Sequence, residues 1–369
     1  MMVNQKILNS MNGLLSNFNK SKVSNLEEWK SLPLMSKEDL IDFSIPRNFK
    51  EVRATSGSTG ESLFIYFSEE AISGFVGRAV KFIKKMNLNK DDLGLILFSY
   101  GNFIVGSMVE RACNKEKIPI IPFGSTNTYQ KENMLKLISL LKPNIWFSTP
   151  TYALKLLSEL GNKSCFPKKI LVGGEKLINS YIKKFKEYNI ELFNLYGLTE
   201  CNPVGFSDSK NPKKIIAIYP NIYLETIETM QGKELVVTDF TNTSTPIIRY
   251  KTKDLVKNIK VKRGIIKEFE IVSRNDDLIK LRGAFVSKSK IIEVLSNFSL
   301  EFVVYLLIKN DSDFIQIYLP APIKEKEKDL LKALQTVLGN NKREVLFKKD
   351  LIVPKTNSNK PKYIVDIRN

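Results

Sequence analysis

Thr55-Ser56-Gly57-Ser58-Thr59-Gly60 is a run of small hydroxyl-bearing residues and glycines. Glycine permits close backbone approach, and hydroxyls and amide N–H groups donate to anionic oxygens, so such a loop can wrap phosphate. The same letters also suit an ordinary turn. The run is not the Lys-terminated loop of nucleoside triphosphatases, because Gly60 is followed by Glu61, Ser62 and Leu63. A second constellation is Tyr196-Gly197-Leu198-Thr199-Glu200. There a Tyr can stack on a planar ring, Gly197 admits a close backbone, Thr199 can hydrogen-bond a phosphate and Glu200 can hold a hard cation such as Mg²⁺. A plain turn with a core Tyr and a surface Glu would read the same way. Gly173-Gly174-Glu175 and residues 123–127 are further small or polar segments.

These segments need a scaffold, and residues 69–200 supply an α/β pattern. Helical spacing of apolar residues runs over 69–86, through Val109 and Cys113, and over 133–141, 152–160 and 178–188. Short apolar strands are expected at 93–98, 118–122, 144–148, 169–172 and 190–195. In such sheets ligands bind where strands end, and residues 123–127, Gly173 to Glu175 and Tyr196 to Glu200 each follow one of these strands.

Composition narrows the chemistry. A chain of 369 residues is expected to form two domains. Lys and Arg number 57 against 39 Asp and Glu, a net charge of +18, which favours anionic partners: nucleotide phosphates, an acidic carrier protein, nucleic acid or a membrane surface. The basic residues are scattered, without the aromatic interleaving of a nucleic-acid surface, so no nucleic-acid partner is expected. With no His, histidine triads and zincin motifs are excluded. Cys113, Cys165 and Cys201 are far apart and odd in number, which fits neither a disulfide framework nor a zinc site. Neither a signal peptide nor a membrane span is read from the sequence, and a cytoplasmic, membrane-free setting is expected.

Taken in order, these segments resemble the adenylate-forming superfamily of acyl-CoA synthetases, adenylation domains and luciferases, in particular its phenylacetate-CoA ligase branch. The resemblance runs from Arg53 to the C-terminus. Thr55 to Gly60 matches the phosphate loop, and Gly173-Gly174-Glu175 the adenine-side loop. Tyr196 to Glu200 is similar to the Tyr-Gly-x-Thr-Glu signature. Ile248-Arg249-Tyr250 through Asp254 resembles the segment whose Asp binds the ribose hydroxyls, with Lys253 where that motif has Gly. Ser273 to Lys280 with Gly283 resembles the hinge motif, in which Arg274 would reach ribose or phosphate oxygens and Asp276 would be the pivot. Near the C-terminus Asn359-Lys360 is the best match to the catalytic lysine, with Lys355 and Lys362 as alternatives. Glu61 and Leu63 stand where many members carry Lys, and much of the branch's N-terminal region has no counterpart here.

The resemblance implies a large multi-layer α/β domain over residues 1–275 and a small mobile α+β domain over 276–369. Strands at 302–308 and 314–319 and a helix at 324–338 fit the latter. It implies ATP and Mg²⁺ as cofactors, a small aryl, acyl or amino acid as substrate, and a first step in which the carboxylate attacks the α-phosphate, with Mg²⁺ held by Glu200 and Lys360 sharing the developing charge and Thr199 hydrogen-bonding a phosphate. Rotation about Asp276 would then bring up the face bearing Lys280 and Gly283 for attack by a thiol of coenzyme A or of a carrier protein's phosphopantetheine. The acid would lie among Tyr100, Phe103, Ser125, Thr149, Gly173 and Tyr196, with Tyr100 and Phe103 equally readable as core. A catalytically silent adenylate binder and an amide-forming ligase are the alternatives.

Overall fold

A computed structural model of the chain describes residues 5–55, 63–124, 131–219, 221–275, 277–281, 284–309, 312–355 and 361–368, the side chains of Lys131 and Ala284 excepted. Ser56, Gly57, Ser58, Thr59, Gly60, Glu61, Ser125, Asp276, Gly283 and Lys360 lie outside the described residues. The chain divides into two compact units, residues 1–177 with 185–272, and residues 178–184 with 273–369.

In the first unit, helices α1 (Gln5–Asn17), α2 (Leu26–Ser31) and α3 (Lys37–Ile41) precede an antiparallel hairpin of β1 (Glu51–Ala54) and β2 (Phe64–Phe67). Helix α4 (Glu69–Lys85) follows, capped by Ser68, whose hydroxyl accepts the Ala71 N–H. Glu69 and Glu70 in its first turn and Lys84 and Lys85 in its last complement the helix dipole. Its buried face carries Ala71, Phe75, Ala79, Phe82 and Ile83, the three- and four-residue spacing of one helix side.

Five parallel strands come next: β3 (Gly94–Ile96), β4 (Ile120–Pro122), β5 (Ile145–Ser148), β6 (Lys169–Gly173) and β7 (Glu191–Tyr196). The crossovers between them are α5 (Ile104–Lys115), α6 (Lys131–Leu141), α7 (Pro150–Leu160) and α8 (Asn179–Glu187). All four residues of β5 are buried, as a parallel strand covered on both faces requires. The spatial order is β4-β3-β5-β6-β7, so the connections reverse direction between β3 and β5. Open α/β sheets bind ligands beyond the carboxyl ends of strands at such a switch point.

Between residues 200 and 275 the sequence pattern yields no strand assignments, yet the same sheet continues antiparallel through β8 (Gly205–Phe206), β9 (Lys214–Ala217), β10 (Ile222–Thr229), β11 (Gly232–Asp239), β12 (Tyr250–Lys262) and β13 (Ile265–Arg274). Strands β10 and β11 carry consecutive buried residues while β12 alternates at its start, so the pattern is mixed and only pairing reveals the order. Trp29, Met11, Leu14 and Leu15 of the N-terminal helices form a satellite core with Tyr223 and Ile248. Arg249 locks it, bonding Glu225 at 2.8 Å and the carbonyls of Lys30 and Leu32.

The second unit opens with a hairpin of β14 (Leu278–Leu281) and β15 (Ala284–Ser287), then α9 (Lys288–Ser296). Its four-stranded sheet, in the order β18 (Arg343–Lys348), β17 (Ser312–Pro320), β16 (Val303–Lys309), β19 (Ile364–Asp366), is mixed, with β17 antiparallel to β16 and the outer pairs parallel. The helix expected over 324–338 begins as a 3-10 segment, Ala321–Lys326, and is α-helical as α10 (Glu327–Leu338). Pro322 explains the entry, since a proline suits only a first turn. Leu330, Leu334 and Leu338 of α10 pack with Ile291 and Leu295 of α9 and with the strands.

Candidate active site

Because β3 to β7 are parallel, the loops that follow them share one edge of the sheet. Tyr100 and Phe103 follow β3, Thr149 follows β5, Gly173 ends β6 with Gly174 and Glu175 behind it, and Tyr196 ends β7 ahead of Gly197, Thr199 and Glu200. Thr149 caps α7 by accepting the Tyr152 N–H, and Pro150 sits in the first turn. The Thr151 hydroxyl donates to Glu175 Oε2 at 2.7 Å, joining the loops behind β5 and β6. Gly124, at φ 81°, lies so close to Tyr100 that an added Cβ would come within 3.3 Å of its ring. Tyr100 is half-buried against the main core, and burial together with the charge of Glu110 raises the pKa of its hydroxyl far above the usual value.

Two tyrosines connect the loop after β7 to strand β12. Tyr196 donates its hydroxyl to Asp254 Oδ2 at 2.7 Å, while its ring meets Phe269 edge-on at 5.7 Å. Tyr250 donates to Glu200 Oε1 at 2.8 Å, with both residues buried. The sheet thus brings together two pairs of residues, 58 and 50 positions apart in the chain, and Glu200 is a buried, hydrogen-bonded carboxylate rather than a surface one. At Gly197 an added Cβ would fall 2.7 Å from Asn202 Oδ1, so only glycine lets the loop fold back on itself.

Asp254 stands on a bulge. Glu234 of β11 faces Leu255 of β12, but Val236 faces Lys251, so Leu235 is opposed by Thr252, Lys253 and Asp254 together. Lys253 adopts φ 62°, the left-handed conformation that Gly would adopt without strain. The bulge is held by the Lys253 N–H donating to Glu234 Oε1 at 2.9 Å, the Asp254 N–H donating to Thr252 Oγ1 at 3.0 Å, and the Thr252 hydroxyl donating to the Leu235 carbonyl at 2.8 Å.

Beneath the Glu200 loop lies an ion pair, Arg78 to Asp239 at 2.8 Å, with side chains 1 % and 0 % exposed. Asp239 also accepts the Cys201 thiol at 3.3 Å and the Thr241 N–H at 2.8 Å, and Arg78 packs 5.0 Å from the Phe75 ring centre. Burial first, and then the charge of Asp239, push the Cys201 thiol pKa up. All three cysteines are buried and free.

The described ends of the glycine-rich loop form a stem. Thr55 N–H donates to the Leu63 carbonyl at 2.9 Å, and Leu63 N–H to Thr55 Oγ1 at 3.1 Å. Ala54 N–H donates to the Asn102 carbonyl at 3.0 Å and Arg53 to the Gly101 carbonyl, which ties the stem to the loop behind β3. Glu51 holds both Arg53 and Arg111; burial works against its charge, but the two guanidinium partners together keep its pKa below the usual range.

In the second unit Lys280 is exposed on β14, and its carbonyl accepts from Arg368 at 2.7 Å. Asp277 accepts the Ser287 hydroxyl at 2.6 Å and the Ser289 N–H at 3.1 Å, fixing the start of α9. Arg274 is exposed at the end of β13. Lys355 and Pro361 form a β-bridge, and Lys362 N–H donates to the Pro354 carbonyl at 2.7 Å, so the described residues flanking 356–360 pair with each other.

The model of the AMP-binding enzyme family matches residues 54–234. The phenylacetate-coenzyme A ligase of Aromatoleum evansii is 25 % identical over 297 residues, 74 % of this chain and 67 % of the relative. That of Escherichia coli (strain K12) is 24 % identical over 298 residues, 74 % of this chain and 68 % of the relative. By these matches the chain is similar to the adenylate-forming superfamily, in its phenylacetate-CoA ligase branch. Solved adenylate-forming enzymes share its fold. A 2-hydroxyisobutyryl-CoA ligase in the postadenylation state superposes with a TM-score of 0.78 at 16 % identity, covering 99 % of this chain and 87 % of that one. The amide bond synthetase McbA from Marinactinospora thermotolerans gives 0.59 at 17 % identity, covering 88 % and 72 %.

The sequence pattern does not single out Tyr250, Glu234, Thr252, Arg78 or Asp239 as site residues. Tyr250 lies in a segment already read as functional, so its position was a usable signal. For Arg78 and Asp239, 161 residues apart, no local pattern points from one to the other.

Proposed function

We propose that the chain binds ATP and a small carboxylic acid at the carboxyl edge of its parallel strands, forms the acyl-adenylate with release of pyrophosphate, and passes the acyl group to the thiol of coenzyme A. The observation that carries this reading is the pair of links Tyr196–Asp254 and Tyr250–Glu200, which set the signature loop against the strand bearing the ribose-side carboxylate.

The donor set suits the cofactors. Asp254 gives one oxygen to Tyr196, and a carboxylate has roughly four acceptor sites, so a ribose diol can be accepted alongside. Glu200, held through Oε1 by Tyr250, is a hard oxygen ligand suited to Mg²⁺. When bound, that ion would offset charge on the phosphates. The loop Thr55 to Gly60 would hold phosphate, Gly173, Gly174 and Glu175 would border the adenine, and Thr199 would donate to the α-phosphate. Tyr100, Phe103, Ser125 and Thr149 would border the acid.

In the first step a carboxylate oxygen of the acid bonds to the α-phosphorus while the bond to the pyrophosphate oxygen breaks. Lys360 is assigned the neutralising cation, which suits charge accumulating on the α-phosphoryl group. In the second, the thiolate sulfur bonds to the acyl carbon and AMP leaves with the electron pair, the thiol proton having gone to solvent. The hinge is assigned to Asp276, between residues 1–275 and 276–369, with Lys280 and Gly283 serving the second step and Arg274 reaching nucleotide oxygens. The net charge of +18 also suits an acidic carrier protein as acceptor. Among the described residues no helix is long and apolar enough to cross a membrane, and the setting assigned is the cytoplasm.

Acid-dependent pyrophosphate release from ATP, across aryl, short-chain and amino acids with Lys360→Ala as control, tests the reading. Release with a particular acid that is lost in the variant is expected. ATP binding without release for any acid would overturn it in favour of a silent binder.

A further inference from the structure

The bulge that carries Asp254 is unusual in being imposed from outside. Lys253 holds a left-handed backbone that is disfavoured for a residue with a Cβ. Its N–H lies in the stretch where β12 has three residues opposite one of β11, so no residue faces it in register. Glu234, 4 % exposed on the neighbouring strand, accepts that N–H at 2.9 Å. Leu235 between them receives the Thr252 hydroxyl, which in turn accepts the Asp254 N–H. The carboxylate of Glu234 and the hydroxyl of Thr252 therefore replace the ladder bonds that the bulge forfeits, and the direction in which Asp254 leaves the strand depends on them.

We infer that Glu234 is a positioning residue for nucleotide binding: by accepting the Lys253 N–H it holds the strand bulge that aims Asp254 at the ribose hydroxyls of ATP. It touches no substrate. The inference rests on the proposed ribose role of Asp254, so the two are tested separately.

The experiment compares ATP with 2′,3′-dideoxy-ATP in pyrophosphate release by the full chain carrying Glu234→Ala, Glu234→Gln or Asp254→Ala. With ATP, Glu234→Ala is expected to raise KM about tenfold with kcat within about twofold, the loss of one charge-assisted hydrogen bond. Glu234→Gln, which keeps a carbonyl oxygen for the same N–H, is expected to restore KM to within about threefold. With the dideoxy nucleotide the Glu234→Ala penalty is expected to vanish, because no ribose hydroxyl remains to be misaligned. A merely structural role would lower kcat or active fraction equally for both nucleotides, and that result overturns the inference. An Asp254→Ala penalty equal for both nucleotides would instead refute the ribose role itself. If Glu234→Ala does not fold, Glu234→Leu, which fills the same buried volume, takes its place with the same readings.

Discussion

The hydroxyl of Tyr196 sits 2.7 Å from Asp254 Oδ2, joining the end of a parallel strand to a bulge in an antiparallel one. The tyrosine thereby orients the carboxylate it donates to. Removing the hydroxyl in Tyr196→Phe is expected to raise the KM for ATP by about ten- to thirtyfold with a smaller change in kcat, the worth of a hydrogen bond to a charged acceptor. Steady-state pyrophosphate release at varied ATP checks it.

Tyr250 does for Glu200 what Tyr196 does for Asp254. Tyr250→Phe leaves Glu200 buried with one donor fewer. On the proposed Mg²⁺ role of Glu200, the free Mg²⁺ needed for half-maximal rate is expected to rise about tenfold while saturating rate is nearly kept, as loss of a hydrogen bond that orients a metal ligand commonly does. A magnesium titration at fixed ATP is the measurement, and an unchanged titration would separate Tyr250 from the metal.

The Arg78–Asp239 pair is fully buried beneath the Glu200 loop. Breaking it with Asp239→Ala is expected to cost about 3–5 kcal/mol of stability, because the guanidinium is left uncompensated. The paired change Arg78→Met with Asp239→Leu is expected to cost much less. Urea unfolding of the three proteins checks this.

Glu51, in the hairpin that carries the glycine-rich loop, has a pKa lowered from the ordinary value of 4.5; burial opposes that shift, and the hydrogen bonds from Arg111 and Arg53 outweigh it. A carboxylate with a lowered folded pKa contributes stability above its unfolded pKa and loses it as pH falls through the folded one. The stability of the protein is therefore expected to fall on acidification below about pH 4.5, and Glu51→Gln to flatten that part of the curve. Thermal unfolding from pH 3 to 7 is the test.

The cysteines supply a further check on packing. Burial, aided by the charge of Glu110, pushes the Cys113 thiol up to about 12, and Cys201 is raised as well. Thiolates are the reactive form, so neither is expected to react with iodoacetamide at pH 8 until the protein unfolds. Mass spectrometry of native and denatured samples reads the outcome.

Much of the scaffold was legible because its signals are local. The five parallel strands are short apolar runs separated by helices whose apolar residues recur at helical spacing, and Thr149 with Pro150 marks a helix start by chemistry alone. The loop at Tyr196 to Glu200 was equally legible, since its residue types state what they can bind. What the amino-acid sequence by itself determined, then, was the α/β class, the carboxyl-edge loops and the family likeness. The tertiary structure alone decided which strand lies beside which, that Glu200 is buried against Tyr250, that Lys253 takes a left-handed turn, and that Arg78 meets Asp239. The reason is that hydrophobic periodicity and turn chemistry act within a few residues, whereas strand pairing, bulges and buried ion pairs are settled by contacts between residues far apart in the chain, which composition and spacing do not encode.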